Sequence, residues 1–227
     1  MPPLGRRFAA ELIGTFGLVF FGSASVIASA FPGTEVGLTG IALVHGLALA
    51  IGVSATMHIS GGHLNPAVSL GLLVGRRIDV RVFVVHVAAQ LVAAVLAALA
   101  LQAAWPESIA SIVAYGTPQL ALSVSLGQGI WLEALMGFFL MSAVYGTAVA
   151  LRSPRIGGFG IGLTLVFLIV GLGPLTGAAV NPARALGPAI ASGTWTGQIV
   201  YWIGPAIGAV LAGLLWDRFL LKNEAAG

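Results

Sequence analysis

Charged residues and cysteine are scarce in this sequence. Only 7% of its 227 residues are charged, whereas a soluble globular domain carries roughly a quarter. It has no cysteine, which excludes a disulfide framework, a thiolate metal site and a cysteine nucleophile. Hydrophobic residues make up 58% of the chain, more than a water-soluble core of this size can hide. The composition therefore predicts a membrane protein.

Six apolar segments have the length that a helix needs to cross a hydrocarbon layer roughly 30 Å thick. They lie at about 8–30, 37–57, 82–105, 129–151, 156–175 and 198–221. Two shorter apolar segments, 65–75 and 181–191, reach only half-way across, because a helix rises about 1.5 Å per residue. The expected fold class is an all-α membrane protein with six transmembrane helices and two half-membrane re-entrant helices.

The basic residues indicate the orientation of these spans. With six spans and both termini on one side, that side holds nine of the ten basic residues: Arg6, Arg7, Arg76, Arg77, Arg81, Arg152, Arg155, Arg218 and Lys222. Such a bias marks the cytoplasmic side, and it explains the net charge of +3 without a nucleic-acid partner. We expect a bacterial inner membrane, since the termini are short and carry no targeting extension.

The two halves of the chain repeat each other. SGGHLNPAVSLG (60–71) matches TGAAVNPARALG (176–187), and HVAAQLVAAVLA (86–97) matches YWIGPAIGAVLA (201–212). Because each half holds three spans, the second copy enters the membrane in the inverted orientation. Inverted repeats place a functional site at the midplane, built from broken helices. We predict one channel domain over 1–227, with halves at about 1–120 and 121–227.

An Asn-Pro-Ala triplet opens each short helix. The two triplets are Asn65, Pro66, Ala67 and Asn181, Pro182, Ala183. Asparagine is a favoured N-cap and proline suits the first helical position. The inverted repeat brings both helix N-termini, with their partial positive charge, to the membrane centre. Each asparagine amide is expected to point two donors at a passing water, which then cannot relay a proton, while cations meet an unfavourable field.

Non-helical stretches precede both short helices, at 60–63 and 176–179. Irregular backbone at this depth is tolerated only where it is buried in protein or lines a wet cavity. Small residues allow carbonyl groups to line a pore, with close packing as the alternative reading. The expected carbonyl-lining residues are Gly61, Gly62, His63, Gly177 and Ala179.

Arg184 lies one turn into the second short helix, where the first repeat has Val68. An arginine at membrane depth costs about 3 kcal/mol or more, so an isolated lipid-facing one is disfavoured. A structural ion pair is one explanation, but the same loop holds no acidic residue. As a pore-lining group, the guanidinium would donate hydrogen bonds to solutes and repel cations.

Taken together, the paired Asn-Pro-Ala triplets with arginine after the second, SGGHxNPAV, and AExxGTF in the first span resemble the aquaporin (major intrinsic protein) family. The resemblance covers nearly the whole chain. It implies a right-handed bundle, a homotetramer with one pore per subunit, and no catalysis, cofactor or metal. It also implies that Glu11 and Glu133 accept backbone amides of the re-entrant loops.

The same resemblance implies an outer constriction formed by His45, Ile169, Ala178 and Arg184. This ring looks more like that of vacuolar-type plant channels than that of familiar water-selective bacterial members. The branched alkyl group of Ile169 makes it less polar than a histidine would. Water is the expected solute, with ammonia or another small neutral molecule as a second candidate. Dedicated glycerol channels carry aspartate where this chain has Ala185, which counts against glycerol.

Two other classes of membrane protein remain to be weighed. A secondary transporter also uses inverted repeats and broken helices, but it needs ligands for a coupling ion or a titrating carboxylate at the midplane. An intramembrane hydrolase would carry a Gly-x-Ser-x-Gly or His-Glu-x-x-His motif, and the sequence has neither. A passive channel fits the residues better than either.

Overall fold

The computed structural model describes residues 2–152, 154 and 156–222, so the predicted cytoplasmic Arg155 lies outside the described residues. The regular structure of these residues is helical, and the elements are α1 (Leu4–Ser29), α2 (Gly37–Thr56), α3 (Pro66–Val74), α4 (Val80–Ala104), α5 (Glu107–Ala110), α6 (Leu126–Val144), α7 (Gly157–Thr176), α8 (Pro182–Ser192) and α9 (Gln198–Leu215). A 3₁₀ segment (Ser111–Gly116) follows α5, and π-helical turns extend α6 to Val149 and α9 to Leu220.

Six of these helices, taken with their π-helical extensions, are long and apolar enough to cross a membrane. They are α1, α2, α4, α6, α7 and α9, and they agree with the six predicted spans to within a few residues. The outer surface is apolar: Phe21, Leu163 and Trp131 each leave more than half of their area exposed. In an apolar solvent such exposure carries no penalty, so the predicted membrane fold is confirmed.

The two short helices have the predicted length and caps. Helix α3 has nine residues and α8 has eleven, about 14 and 16 Å at a rise of about 1.5 Å per residue. Pro66 and Pro182 occupy the first helical positions, and the preceding asparagines cap the helices. Gly193, in the left-handed conformation, ends α8. Each helix therefore stops half-way across the bundle.

Glycines allow the spans to pack closely. Where α6 meets α9, a Cβ atom added to Gly208 would collide with the carbonyl oxygen of Ala134. Where α2 meets α7, a Cβ atom on Gly162 would collide with the carbonyl oxygen of Gly46. Since lipid supplies no hydrophobic drive for helix association, such close backbone approach is what holds the spans together.

Alanine substitution at Gly208 tests this packing. We expect Gly208→Ala to destabilise the fold by about 1–3 kcal/mol, because the methyl group overfills a rigid backbone contact. The measurement is the apparent melting temperature in detergent. The matched control is Gly171→Ala in α7, where an added Cβ meets open space. Equal melting temperatures for the two variants would contradict the role assigned to the glycine.

Candidate functional site

Two reciprocal hydrogen bonds join the halves of the molecule at its centre. The side-chain Nδ2 of Asn65 donates to the carbonyl oxygen of Val180 at 2.9 Å, and Nδ2 of Asn181 donates to that of Leu64 at 2.8 Å. Leu64 and Val180 precede the two asparagines and have φ values of +50° and +53°. This left-handed conformation costs of order 1–3 kcal/mol in a residue with a side chain. Each strained residue thus supplies the carbonyl that the opposite asparagine binds.

The asparagine side chains also cap their own helices. Oδ1 of Asn65 accepts from the backbone N–H of Ala67 at 2.8 Å, and Oδ1 of Asn181 accepts from those of Ala183 and Arg184 at 2.9 and 3.3 Å. An asparagine amide has two N–H groups, and the opposite loop takes one of them. Each asparagine therefore has at most one N–H left for the cavity, not the predicted two, because the cross-loop bond uses the other.

The carboxylate of Glu11 holds the first re-entrant loop. Its Oε1 accepts from the backbone N–H of His63 at 2.9 Å and from the hydroxyl of Ser60 at 2.7 Å. Its Oε2 accepts from the backbone N–H of Leu64 at 2.7 Å and from Nε2 of Gln90 at 2.8 Å. The Glu11 side chain is fully buried, and these four donors are what make a buried carboxylate tolerable.

Glu133 holds the second loop in the same way. Its Oε1 accepts from the hydroxyl of Thr176 at 2.8 Å and the N–H of Ala179 at 3.1 Å, and its Oε2 accepts from the N–H of Val180 at 2.7 Å. Tyr201 donates its hydroxyl to the carbonyl of Thr176 at 2.7 Å. Sequence reasoning missed the supporting side chains Ser60, Gln90, Thr176 and Tyr201. The available signal was that Ser60 and Thr176 occupy the same position in the repeat.

Arg184 contacts His45 directly. Its Nε donates to Nε2 of His45 at 3.2 Å, and its Nη1 donates to the carbonyl oxygen of Gly116 at 2.9 Å. Nδ1 of His45 lies 2.9 Å from the carbonyl oxygen of Ile41. A carbonyl can only accept, so the proton of His45 sits on Nδ1 and the bare Nε2 receives the guanidinium. His45 is therefore neutral, and a hydrogen bond at each ring nitrogen fixes the orientation of its ring.

Two glycines that sequence analysis missed shape this contact. A Cβ atom on Gly22 would lie 2.7 Å from Nε2 of His45, so only a glycine leaves room for the imidazole. Gly116 ends the 3₁₀ segment, where it and the two preceding residues, Ala114 and Tyr115, all have positive φ. This turn aims the Gly116 carbonyl at the guanidinium. The connection 105–128, in which no structure was predicted, thus supplies part of the site.

A narrow internal cavity runs past these groups. Its volume is about 30 Å³, space for roughly two or three waters. The predicted site residues that line it are His45, Gly61, Gly62, His63, Asn65, Ala179, Asn181 and Arg184. Aliphatic side chains form the rest of its wall: Leu18, Leu49, Val53, Val68, Leu140, Val144, Ala148, Ile161 and Leu165. The wall of the cavity is therefore mostly apolar, with a few donors and acceptors.

Three of the residues predicted for the outer ring and the carbonyl lining do not line this cavity. Ile169 and Ala178 are buried within the hydrophobic core, and Gly177 ends α7 as a left-handed cap packed against Pro118. The structure thus brings together two members of the predicted ring, His45 and Arg184. The contribution of Ile169 and Ala178 to a constriction stays a prediction.

Comparison with known proteins gives consistent matches over the whole chain. Residues 2–216 match the family described as Major intrinsic protein. Aquaporin TIP4-4 of Zea mays is 44% identical over 230 residues, 96% of this chain and 88% of that protein. Aquaporin TIP2-1 of Arabidopsis thaliana is 38% identical over 96% of this chain and 89% of its own length. The X-ray structure of the aquaglyceroporin from Plasmodium falciparum matches with a TM-score of 0.86, covering 99% of this chain and 100% of that one, and its 24% identity limits the likeness to the fold.

Replacing Glu133 by glutamine tests its hold on the second loop. The variant keeps one acceptor oxygen but turns an NH₂ group toward backbone donors. We therefore expect the opening free energy of the backbone amides over 177–181 to fall by about 1–3 kcal/mol. Hydrogen exchange followed by mass spectrometry measures this directly. The control is Glu107→Gln, the same change at an exposed position. Unchanged exchange in Glu133→Gln would show that the carboxylate does not hold the loop.

Proposed function

The chain belongs to the major intrinsic protein family of membrane channels, and from that membership we propose that it is a passive water channel. The family is non-enzymatic, so the buried polar residues act by binding and orienting solutes and by shaping the pore. The observation that carries the proposal is the pair of asparagine amides, held in register beside a mostly apolar internal cavity.

Water is guided through the tube by acceptors and donors in sequence. Gly61, Gly62, His63 and Ala179 lie along the cavity, where backbone carbonyls are proposed to accept the hydrogens of passing water. At the centre, one N–H from each asparagine donates to the oxygen of the same molecule. A water whose oxygen accepts both hydrogen bonds is turned away from its neighbours in the file and does not relay a proton.

Ions are excluded by charge and by dehydration. The N-termini of α3 and α8 place partial positive charge at the centre, and Arg184 adds a full positive charge to the wall. Among the described residues that line the cavity, none is an aspartate or a glutamate. The aliphatic wall therefore offers a cation no replacement for the water it must shed.

The same observations weigh against a coupled transporter. Transport driven by protons or sodium needs a carboxylate or ion ligands facing the path. Glu11 and Glu133 are fully buried, and their oxygens accept hydrogen bonds from the re-entrant loops. They are anchors of the pore backbone in this proposal and take no part in coupling.

The range of solutes is proposed from the outer ring. His45 and Arg184 are in contact, and we place Ile169 and Ala178 beside them as the less polar part of the constriction. Such a ring passes water, with ammonia or another small neutral molecule as a secondary solute. Ala185, where glycerol channels carry aspartate, makes glycerol a poor substrate.

Assembly and orientation complete the proposal. The apolar outer surface of the spans is consistent with a homotetramer in which each subunit holds its own pore.

Both termini are placed on the cytoplasmic side, since Arg7, Arg76 and Arg77 line one vestibule and Arg77 reaches Asp217, near the end of the last span, at 2.8 Å. The six spans make the chain an integral membrane protein, but its relatives described above are plant proteins and give no support to the expected bacterial membrane.

Stopped-flow light scattering on proteoliposomes tests the proposal with water, ammonia and glycerol gradients. The wild type is expected to conduct water rapidly and with a low activation energy. Arg184→Val and His45→Ala are expected to raise the flux of ammonia and glycerol relative to water about tenfold, the ratio that corresponds to about 1.4 kcal/mol. The reason is that each change removes part of the polar outer contact.

Arg81→Val is the matched control for the arginine change, because Arg81 is exposed at the start of α4. Its solute ranking is expected to equal that of the wild type. Water flux no faster than through bare lipid, in protein that is folded, would refute the channel. Solute flux that depends on a proton or sodium gradient would favour a coupled transporter over the channel.

A further inference from the structure

Two buried histidines meet beside the pore through the same atom of each ring. Nδ1 of His63 and Nδ1 of His86 lie 3.0 Å apart, and the rings are nearly perpendicular with centroids 4.4 Å apart. His63 lines the cavity, whereas His86 lies behind it on α4 and is fully buried. At this separation one proton lies between the two nitrogens, so one ring donates and the other accepts.

The unpartnered nitrogen of His86 places that proton on its Nδ1. Oε1 of Glu11 lies 4.0 Å from Nδ1 of His86, but the same oxygen accepts the backbone N–H of His63, so its charge favours neither ring. The other nitrogen of His86, Nε2, is buried without a hydrogen-bond partner among the described residues. A buried orphan N–H is rarer in proteins than an unfilled acceptor. Nε2 of His86 is therefore bare, and Nδ1–H of His86 donates to His63.

The donation from His86 fixes the state of His63. Nδ1 of His63 accepts, and the hydroxyl of Ser69 lies 3.0 Å from the same atom, so the proton of His63 is on Nε2. That end of the ring lies next to Gly61, where an added Cβ would be 3.0 Å from Nε2. Gly61 and His63 line both the cavity and the vestibule on the basic side of the protein.

We propose that His86 is a positioning residue of the pore: it sets the tautomer and ring orientation of His63, which then presents an N–H donor to solutes at the inner mouth. The proposal rests on the proposed channel function, but the tautomer itself can be observed without transport. Neither family membership nor the contacts at the central asparagines assign His86 this role.

The arrangement also limits the number of protons that the pair holds. A second proton must go to Nε2 of His86, the nitrogen left bare, where it would place a charged imidazolium in a fully buried site. Glu11 of α1 attracts that proton and Arg7 of α1 repels it, while Ser69 of α3 and Gln90 of α4 are uncharged. The other charged or titratable residues that line the vestibule with His63 are Arg7, His58, Arg76, Arg77 and Asp79. Because this protonation leaves Nδ1–H of His86 and its hydrogen bond in place, the tautomer of His63 does not depend on it.

Water flux is measured in proteoliposomes near neutral pH. His86→Leu removes the donor and is expected to lower the flux severalfold, because His63 no longer presents Nε2–H to the solute. His86→Asn supplies a side-chain N–H in place of Nδ1–H and is expected to stay close to the wild-type flux. The matched control is His58→Leu, the same change at an exposed histidine of the same vestibule, which keeps the wild-type flux.

The second readout is ¹⁵N NMR of the imidazole nitrogens near neutral pH. The wild type is expected to show His63 protonated on Nε2, and His86→Leu, which removes the donor, is expected to show a mixture of tautomers. Wild-type water flux in His86→Leu, or a wild-type His63 protonated on Nδ1, would overturn the proposal. If wild-type flux equals that of bare lipid, the channel function fails, and the NMR result still decides the role of His86.

Discussion

The pore depends on the two hydrogen bonds by which each central asparagine holds the loop of the opposite repeat. Asn65 binds the carbonyl of Val180 and Asn181 binds that of Leu64. Because each bond crosses between the halves, neither half-helix can shift along the membrane normal without breaking a buried contact. The same bonds leave at most one N–H per asparagine for the lumen. A single pair of side chains thus registers the two halves and, in the proposed function, also orients the solute.

Around this junction, buried carboxylates keep the irregular backbone in place. Non-helical loops at membrane depth leave amide groups that lipid cannot satisfy. Glu11 and Glu133 accept the N–H groups of Leu64 and Val180, which are the residues whose positive φ directs their carbonyls to the asparagines. A charge that would be costly alone is offset by converging donors. The buried carboxylates therefore stabilise the strained loop conformation, and the loop amides in turn stabilise the buried charges.

The sequence predicted the elements whose signals are local. Length and apolarity located the spans, and asparagine followed by proline located the starts of α3 and α8. The sequence did not predict contacts between distant elements. Examples are the space that Gly22 leaves for the His45 ring and the hydrogen bond that Arg184 donates to the carbonyl oxygen of Gly116. The second amide donor was misjudged because nothing in a linear motif indicates that the opposite loop binds it. The position of Ile169 outside the cavity lining likewise depends on packing that no pattern specifies.

The proposed separation of water from protons depends most directly on the central junction, so it is the property to measure. Osmotic water flux and proton flux would be recorded in the same proteoliposomes, with a pH-sensitive dye enclosed in the lumen. The junction predicts rapid water flux while the proton flux stays at the level of protein-free vesicles. Proton flux that rises in proportion to water flux would mean that the asparagine amides do not break the file of hydrogen-bonded water, and it would contradict the mechanism.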